Sequence, residues 1–262
     1  GGLMTLAALD ALEADRATKE IIVISKPPAP AVVRKIVARA GRSKKPVTLC
    51  LLGAGKMKLP PNAKLARTLE EAAGVRVAAE RPARARTRAG KVRGLYCGGT
   101  LCAEARIVLE DMGVRVGVRD LTDLGDDAHT RGRPHPMIEP ALRTEALERA
   151  LRDKSVAVVL LDVVIGHGAH ADPAGLVAAV VRGSKKTVIA SVTGTEDDPQ
   201  RYAAQVRALR SAGVRVAASN AAAARLAARA VRPPTRRGTP SPARRRPRSR
   251  PPTPRRRSAR PR

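Results

Sequence analysis

The chain repeats itself, and this repeat limits its possible folds more than any other feature. Ser43-Lys44-Lys45-Pro46-Val47 returns 141 residues on as Ser184-Lys185-Lys186-Thr187-Val188. Gly74-Val75-Arg76-Val77-Ala78-Ala79 returns 139 residues on as Gly213-Val214-Arg215-Val216-Ala217-Ala218. Glu20 to Ser25 matches Ala157 to Asp162 in residue type and order. Each copy reads as helix, apolar strand, Pro-containing turn, helix, apolar strand, Gly-containing turn, helix, short strand. The strands are unbroken runs of Val, Ile and Leu rather than alternating patterns. Such strands need cover on both faces, which predicts parallel sheets flanked by helices. Strands alternating with helices give the α/β class: two flavodoxin-like, doubly wound parallel-sheet domains. Asp172-Pro173 and Asp198-Pro199 each put a capping carboxylate before a proline at a first helical position.

The second copy has more at its front. Val92 to Tyr96 reads as a strand, Gly98-Gly99-Thr100 as a turn, Leu101 to Met112 as a helix, and Val114 to Leu124 as a further strand ending at Gly125-Asp126-Asp127. The first copy has no counterpart, and the missing strand and helix would fall roughly fifty residues before Gly1. The chain therefore reads as the C-terminal portion of a longer protein. Residues 1–80 form a first domain lacking its leading βαβ, 81–91 a basic linker, 92–232 the second domain and 233–262 a tail.

Charge and composition narrow the function classes. Lys and Arg number 51 against 23 Asp and Glu, a net charge of +28. From Pro233 to Arg262 there are 12 Arg and 9 Pro, no acid and almost nothing apolar, so this tail cannot bury enough surface to order itself. Removing its 12 charges from the total of +28 leaves +16 on the first 232 residues. The tail and the basic stretch Arg81 to Arg93 offer nucleic acid a purely electrostatic partner. Tyr96 and Tyr202 are the only aromatic residues, so ring-stacking folds of the RRM or OB kind are excluded. The run Val156 to Ile165 is too short to span a bilayer, and no charged-then-apolar leader opens the chain. Three cysteines (Cys50, Cys97, Cys102) in no metal spacing suit reduced thiols in the cytoplasm.

Ligands of doubly wound sheets bind at the carboxyl ends of the strands, and three glycine-containing turns fall there. Gly98-Gly99-Thr100 follows a strand and opens a helix, where bare N–H groups and the helix dipole favour a phosphate. Gly53-Ala54-Gly55, followed by Lys56 and Lys58, and Thr193-Gly194-Thr195 occupy equivalent turns of the two copies. His167, between two glycines at a strand end, suits a phosphoryl acceptor or a general base. The same stretch read differently makes His167, His170 and Asp172 metal ligands, or simply a structural turn with Asp172 as helix cap; no metal site is assigned. The long polar segment Asp123 to Pro140 brings Asp126, Asp127, His129, Arg131, Arg133 and His135. Arginines there grip a carboxylate or phosphate and the Asp pair suits a divalent cation, unless the segment is a solvated lid.

The strings GGLMTLAALDAL, ISKPPAPA, RGLYCGGTLCAEA, DLGDDAHTRGRPHPMIEP, VVLLDVVIGHGAHADPA, SVTGTEDDPQ and ASNAAAARLA resemble the FdrA family of acyl-CoA synthetase-like proteins, which is related to succinyl-CoA synthetase. The likeness covers about residues 1 to 231 and stops at the Arg/Pro tail. It implies an upstream CoA-binding Rossmann-like domain followed by two flavodoxin-like ligase domains. It also implies coenzyme A with ATP or phosphate, and Mg, as cofactors. A partner subunit or a homo-oligomer is a further implication. In succinyl-CoA synthetases a phosphohistidine is held by the N-termini of two helices, and by similarity Gly98-Gly99-Thr100 supplies one of them. The phosphohistidine loop there follows the strand equivalent to Pro46–Leu52. Here that position reads GAGKMKLPP, with no histidine, and Thr193 to Pro199 has none either. His167 lies one strand earlier. The expectation is an acyl-CoA synthetase-like enzyme handling a phosphorylated or CoA-linked acyl group. Its catalytic residue would be His167. Gly98, Gly99, Thr100, Gly53, Gly55, Thr193 and Gly194 would hold phosphate, and Asp126, Asp127, Arg131, Arg133 and His135 the substrate. A carbamoyltransferase subunit acting on carbamoyl phosphate and oxamate is the nearest alternative, and a basic nucleic-acid-associating protein is another.

Overall fold

In the computed structural model, residues 1–26, 28–55, 57–75 and 88–231 are described. The Arg/Pro tail, most of the basic linker and Lys56 lie outside them. Two all-parallel sheets carry the fold. The first has β1 (Ile21–Ser25), β2 (Val47–Leu51) and β3 (Ala63–Leu65) in the order β1-β2-β3. Helices α1 (Leu3–Ala14) and α2 (Pro30–Ala40) cover one face, where Leu9, Ile36 and Ala40 meet Ile21, Val47 and Leu49. A short helix, α3 (Leu69–Ala72), follows β3.

The second sheet contains β4 (Lys91–Tyr96), β5 (Leu121–Asp123), β6 (Val156–Val164), β7 (Thr187–Thr193) and β8 (Arg215–Ala217), in the order β5-β4-β6-β7-β8. This is the doubly wound order with its switch point between β4 and β6. Helices α4 (Gly99–Asp111) and α9 (Asn220–Ala230) cover one face. On the other face lie α6 (Ala141–Arg152), α7 (Pro173–Val181) and α8 (Tyr202–Ser211), and a short α5 (Asp127–Thr130) caps the β5 end. Strand β6 shows why both faces are covered: Val158 and Leu160 belong to the α4/α9 core, whereas Val159, Leu161 and Val163 belong to the other. Side chains alternate across a strand, so an unbroken apolar run must have two apolar neighbours. Tyr96 is fully buried in the first of these cores, and Gly94 makes room for it: a Cβ there would lie 2.9 Å from the ring and 2.7 Å from Leu121.

The repeat is real at atomic detail where its sequence match is strongest. The Lys45 and Lys186 amides donate to Ser43 Oγ (3.1 Å) and Ser184 Oγ (3.2 Å). Lys45 Nζ donates to the Leu12 and Asp15 carbonyls at the end of α1, and Lys186 Nζ to the Asp153 carbonyl at the end of α6 and the Val156 carbonyl at the start of β6. Each lysine thus serves the orphan carbonyls of a helix C-terminus and locks the helix to the strand behind it.

Elsewhere the expectations need correction. A third strand of the first copy forms at Ala63–Leu65, and most of the strand expected at Gly74–Ala79 lies outside the described residues. Among the described residues no helix intervenes between β2 and β3, where Pro60 and Pro61 would not continue one. The true equivalence joins β3 and α3, capped by Thr68 Oγ1, to β8 and α9, capped by Ser219 Oγ. Asp172 caps α7 through the Gly175 amide (3.0 Å), as read from the sequence. Asp198 does not cap α8. It closes a turn onto Thr195, and α8 begins at Tyr202, with Glu196 accepting from the Ala203 amide. The strand expected over Val114 to Leu124 shrinks to Leu121–Asp123.

If the two lysines do equivalent work, Lys45→Met and Lys186→Met should each lower stability by about 1 kcal/mol. Urea unfolding midpoints of the two variants check both the size and the equality of the effect.

Candidate functional site

The β4–α4 corner lies at the switch point. The Cys97 amide donates to Asp162 Oδ1 (2.9 Å) and the Gly98 amide to Asp162 Oδ2 (2.9 Å), from a carboxylate at 0% exposure in β6. Gly98 is the N-cap of α4, and the first helical hydrogen bond runs from the Cys102 amide to the Gly98 carbonyl (2.9 Å). The helix therefore supplies no acceptor for the N–H groups of Gly99, Thr100 and Leu101. Of the glycine-turn donors expected to be bare, that of Gly98 is taken by Asp162.

Two charged side chains stand over this helix end. Lys26, just past β1, and Asp123, ending β5, lie 3.5 Å apart. A Cβ on Gly99 would strike both, so only glycine admits them. Beneath, Arg143 of α6 reaches Asp162: its Nη1 donates to the Asp162 carbonyl (2.9 Å), approaches Cys97 Sγ (3.5 Å) and lies 4.0 Å from Oδ1. Burial pushes the Asp162 carboxyl up, while Arg143 and the two amides pull it back.

The sequence-predicted residues separate into distinct places. Gly99 and Thr100 sit at the α4 terminus, whereas His135 packs against Gly125 after β5, its Nε2 in the space a Gly125 Cβ would fill and its Nδ1 accepting from the Met137 amide (3.2 Å). Asp126 is used as the N-cap of α5, accepting from the Ala128 amide (3.0 Å), and Asp127 lies in that helix's first turn. Arg131 and Arg133 are exposed. Gly53 and Gly55 line a cavity of about 460 Å³ against the C-terminal half of α4, beside Glu110 and Asp111. Thr193 and Gly194 line another of about 340 Å³ with Glu70, Glu104 and Asn220.

His167 is exposed, but its loop does not swing freely. Gln200, at 8% exposure, accepts from the Gly166 amide (3.0 Å) and donates to the Gly166 (3.0 Å) and His170 (3.1 Å) carbonyls. His170 Nδ1 accepts from the Asp172 amide (3.0 Å). Among the described residues no three His, Cys, Asp or Glu side chains converge as metal ligands.

The first sheet joins the second at a polar seam. Glu104 of α4, at 1% exposure, accepts from the Leu69 amide of α3 (2.6 Å) and from Asn220 Nδ2 (2.7 Å). Burial pushes its carboxyl up and these two donors draw it back. Glu70 receives Arg225 through both oxygens (2.9 and 2.6 Å), together with the Ser219 hydroxyl. Sequence reasoning missed Asp162, Arg143, Lys26, Gln200 and this seam. Asp162 alone left a signal, as the one polar residue of an apolar strand.

Residues 95–230 match the CoA-ligase family. The chain belongs to the CoA-ligase family. The matched residues hold Gly98–Thr100, Arg143, Asp162, His167 and Gln200, whereas Lys26, Gly53 and Gly55 lie before them. The uncharacterized protein YahF of Escherichia coli (strain K12) is 35% identical over 267 residues, covering 84% of this chain and 52% of YahF. The chain thus spans about half the length of the curated relative it matches. Among solved structures, an acetyl-coenzyme A synthetase of Ca. Korarchaeum cryptofilum in complex with phosphate and ADP is 13% identical, with TM-score 0.40, over 85% of this chain and 55% of that one. ATP citrate lyase from Methanothrix soehngenii in complex with citrate and coenzyme A is 15% identical, with TM-score 0.41, over 86% of this chain and 36% of that one.

The thiols of this CoA-ligase family chain are buried, which pushes Cys97 and Cys102 up to about 12 and Cys50 to about 11. At pH 8 all three are therefore protonated. An aromatic disulfide reagent should modify the native chain at least about a hundredfold more slowly than the guanidinium-unfolded chain, since only the thiolate attacks.

Proposed function

We propose that this CoA-ligase family member is an FdrA-like relative of succinyl-CoA synthetase that handles a phosphorylated or CoA-linked acyl group, with phosphate seated at the N-terminus of α4. One observation carries the reading: the helix-unpaired N–H groups of Gly99, Thr100 and Leu101 meet Lys26, a cation delivered by the other sheet and paired there with Asp123, which an incoming phosphate would displace from the lysine. Donors aimed at one point stabilise the charge that develops on a departing phosphate. In the step this suits, a CoA thiolate attacks the acyl carbon, the carbon–oxygen bond to phosphate breaks, and the electron pair leaves on phosphate. Lys26 and the amides hold that oxygen, and His135 stands beside the strand ends to orient the acyl portion. His167, exposed on its clamped loop, is the acid/base candidate. Coenzyme A and ATP with Mg enter this reading through the family resemblance, as does completion of the site by an upstream domain, a partner subunit or a second copy. Buried reduced thiols suit a cytoplasmic setting. Among the described residues no helix is long and apolar enough to cross a membrane.

A carbamoyltransferase reading is favoured by a specific feature. The segment after β2, residues 52–62, contains no histidine to carry phosphate, and transfer from carbamoyl phosphate needs none. Its nucleophile would be an amide such as oxamate, with phosphate again leaving into the α4 terminus.

Calorimetric titration of the full chain with coenzyme A, ATP and carbamoyl phosphate tests these readings. Saturable binding of coenzyme A or ATP supports the ligase, and carbamoyl phosphate alone supports the transferase. Silence from all three, with tight and salt-dependent DNA binding, overturns both in favour of the basic tail as the working part. Gly99→Ala, which displaces Lys26 and Asp123, should weaken the bound phosphate compound by on the order of tenfold or more. His167→Ala should slow turnover by about a hundredfold, and a change within about threefold removes His167 from the chemistry.

A further inference from the structure

Asp162 invites a question that the fold alone does not answer. A carboxylate at 0% exposure sits in a strand whose other residues are Val, Ala and Leu, and an Arg at 3% exposure accompanies it. Burying such a pair is seldom a gain over apolar residues of the same size. The repeat supplies the contrast. The position matching Asp162 in the first copy is Ser25, whose hydroxyl merely donates to the Lys26 carbonyl.

Resting on the phosphate-handling reading above, the geometry points to Asp162 as a positioning residue for the α4 anion seat, with Arg143 as its counter-charge. By accepting from both the Cys97 and Gly98 amides, Asp162 fixes the peptide planes leading into the helix, so that the next three N–H groups face outward together. Arg143 is needed for a second reason. An uncompensated carboxylate directly beneath the turn would repel the anion that the turn is to hold. Arg143 offsets that charge from the side away from the ligand, and its bond to the Asp162 carbonyl fixes its own place.

The test uses the full chain, labelled with nitrogen-15 and titrated with inorganic phosphate while the Gly99 and Thr100 amide signals are followed. In the parent chain these two amides should shift saturably. Asp162→Asn and Arg143→Met should each weaken phosphate by on the order of tenfold, whereas Arg143→Lys, which keeps the charge, should stay within about threefold. The signals of β7 report whether each variant keeps its fold. An Asp162→Asn chain that is folded and binds at the parent affinity overturns the proposal. Should Asp162→Asn fail to fold, the two Arg143 variants decide, and equal affinities for Met and Lys overturn it. If phosphate leaves Gly99 and Thr100 unmoved in the parent chain, the phosphate-handling reading itself fails. Parent binding with unchanged variants sinks only the positioning role.

Discussion

Helix α4 has to serve two sheets at once, and the position of the site follows from that. One side of it, through Cys102, Ala105, Val108 and Leu109, closes the core over β4 and β6. Another side presents Ala103 and Ile107 to Cys50, Leu52, Ala66 and Ala72 of the first sheet. A helix apolar on two sides cannot face water on either, so both sheets must dock along it. Its N-terminus then lies where the carboxyl ends of strands from both sheets arrive together. Lys26 beyond β1 and Asp123 of β5 meet over Gly99 for this reason, although 97 positions separate them in the sequence.

The ion pairs that join the two sheets are unequal. Arg67 and Asp111 bridge them at 2.6 Å but are 57% and 52% exposed, so solvent and salt leave that bond with little effect on stability. Glu104 is different, because it is buried and both of its oxygens are occupied, one by the Leu69 amide at the start of α3. Loss of either donor would strand a carboxylate away from water, so the geometry here is held by a penalty on disorder rather than by a large attraction. Glu70 and Arg225, nearly closed to solvent on the carboxylate side, add a charge-assisted bond next to it, with Arg225 Nη2 donating to both carboxylate oxygens. The seam therefore fixes the angle at which the first sheet presents Lys26.

Much of the fold was legible because its signals are local and repeated. Unbroken apolar runs announced β1, β2, β6 and β7, and Asp172-Pro173 announced α7. In the first copy a third strand forms at Ala63–Leu65, directly after Pro60 and Pro61 and ahead of the Gly74–Ala79 match, most of which lies outside the described residues. The site was legible only in part. Gly98–Thr100 could be found because a strand–glycine–helix corner is contiguous. Arg143 and Lys26 could not, since each acts on a turn tens of residues away and nothing nearby in sequence distinguishes it from a solvated charge. Asp126 carries a second role that its spacing also announces, since an Asp just before a helix serves as its cap.

The composition explains how such a site is kept rigid without aromatic residues. Tyr96 is the one ring in the α4/α9 core, and the space other proteins fill with Phe or Trp is closed here by bringing backbones together. Alanines of α9, nearly all fully buried, let that helix lie close against both α4 and the sheet. Close packing of small residues leaves few voids and few rotamers, so stiffness comes from backbone proximity rather than side-chain volume. It also leaves no long side chain to reach across and satisfy a polar group. Tyr96 Oη and Ser191 Oγ are accordingly buried without partners among the described residues. The polar groups that must be satisfied, Asp162 and Glu104, instead draw their donors from main-chain amides brought within reach by that same close approach. An alanine-built core thus favours a site made of backbone N–H groups, with charged side chains delivered from its rim.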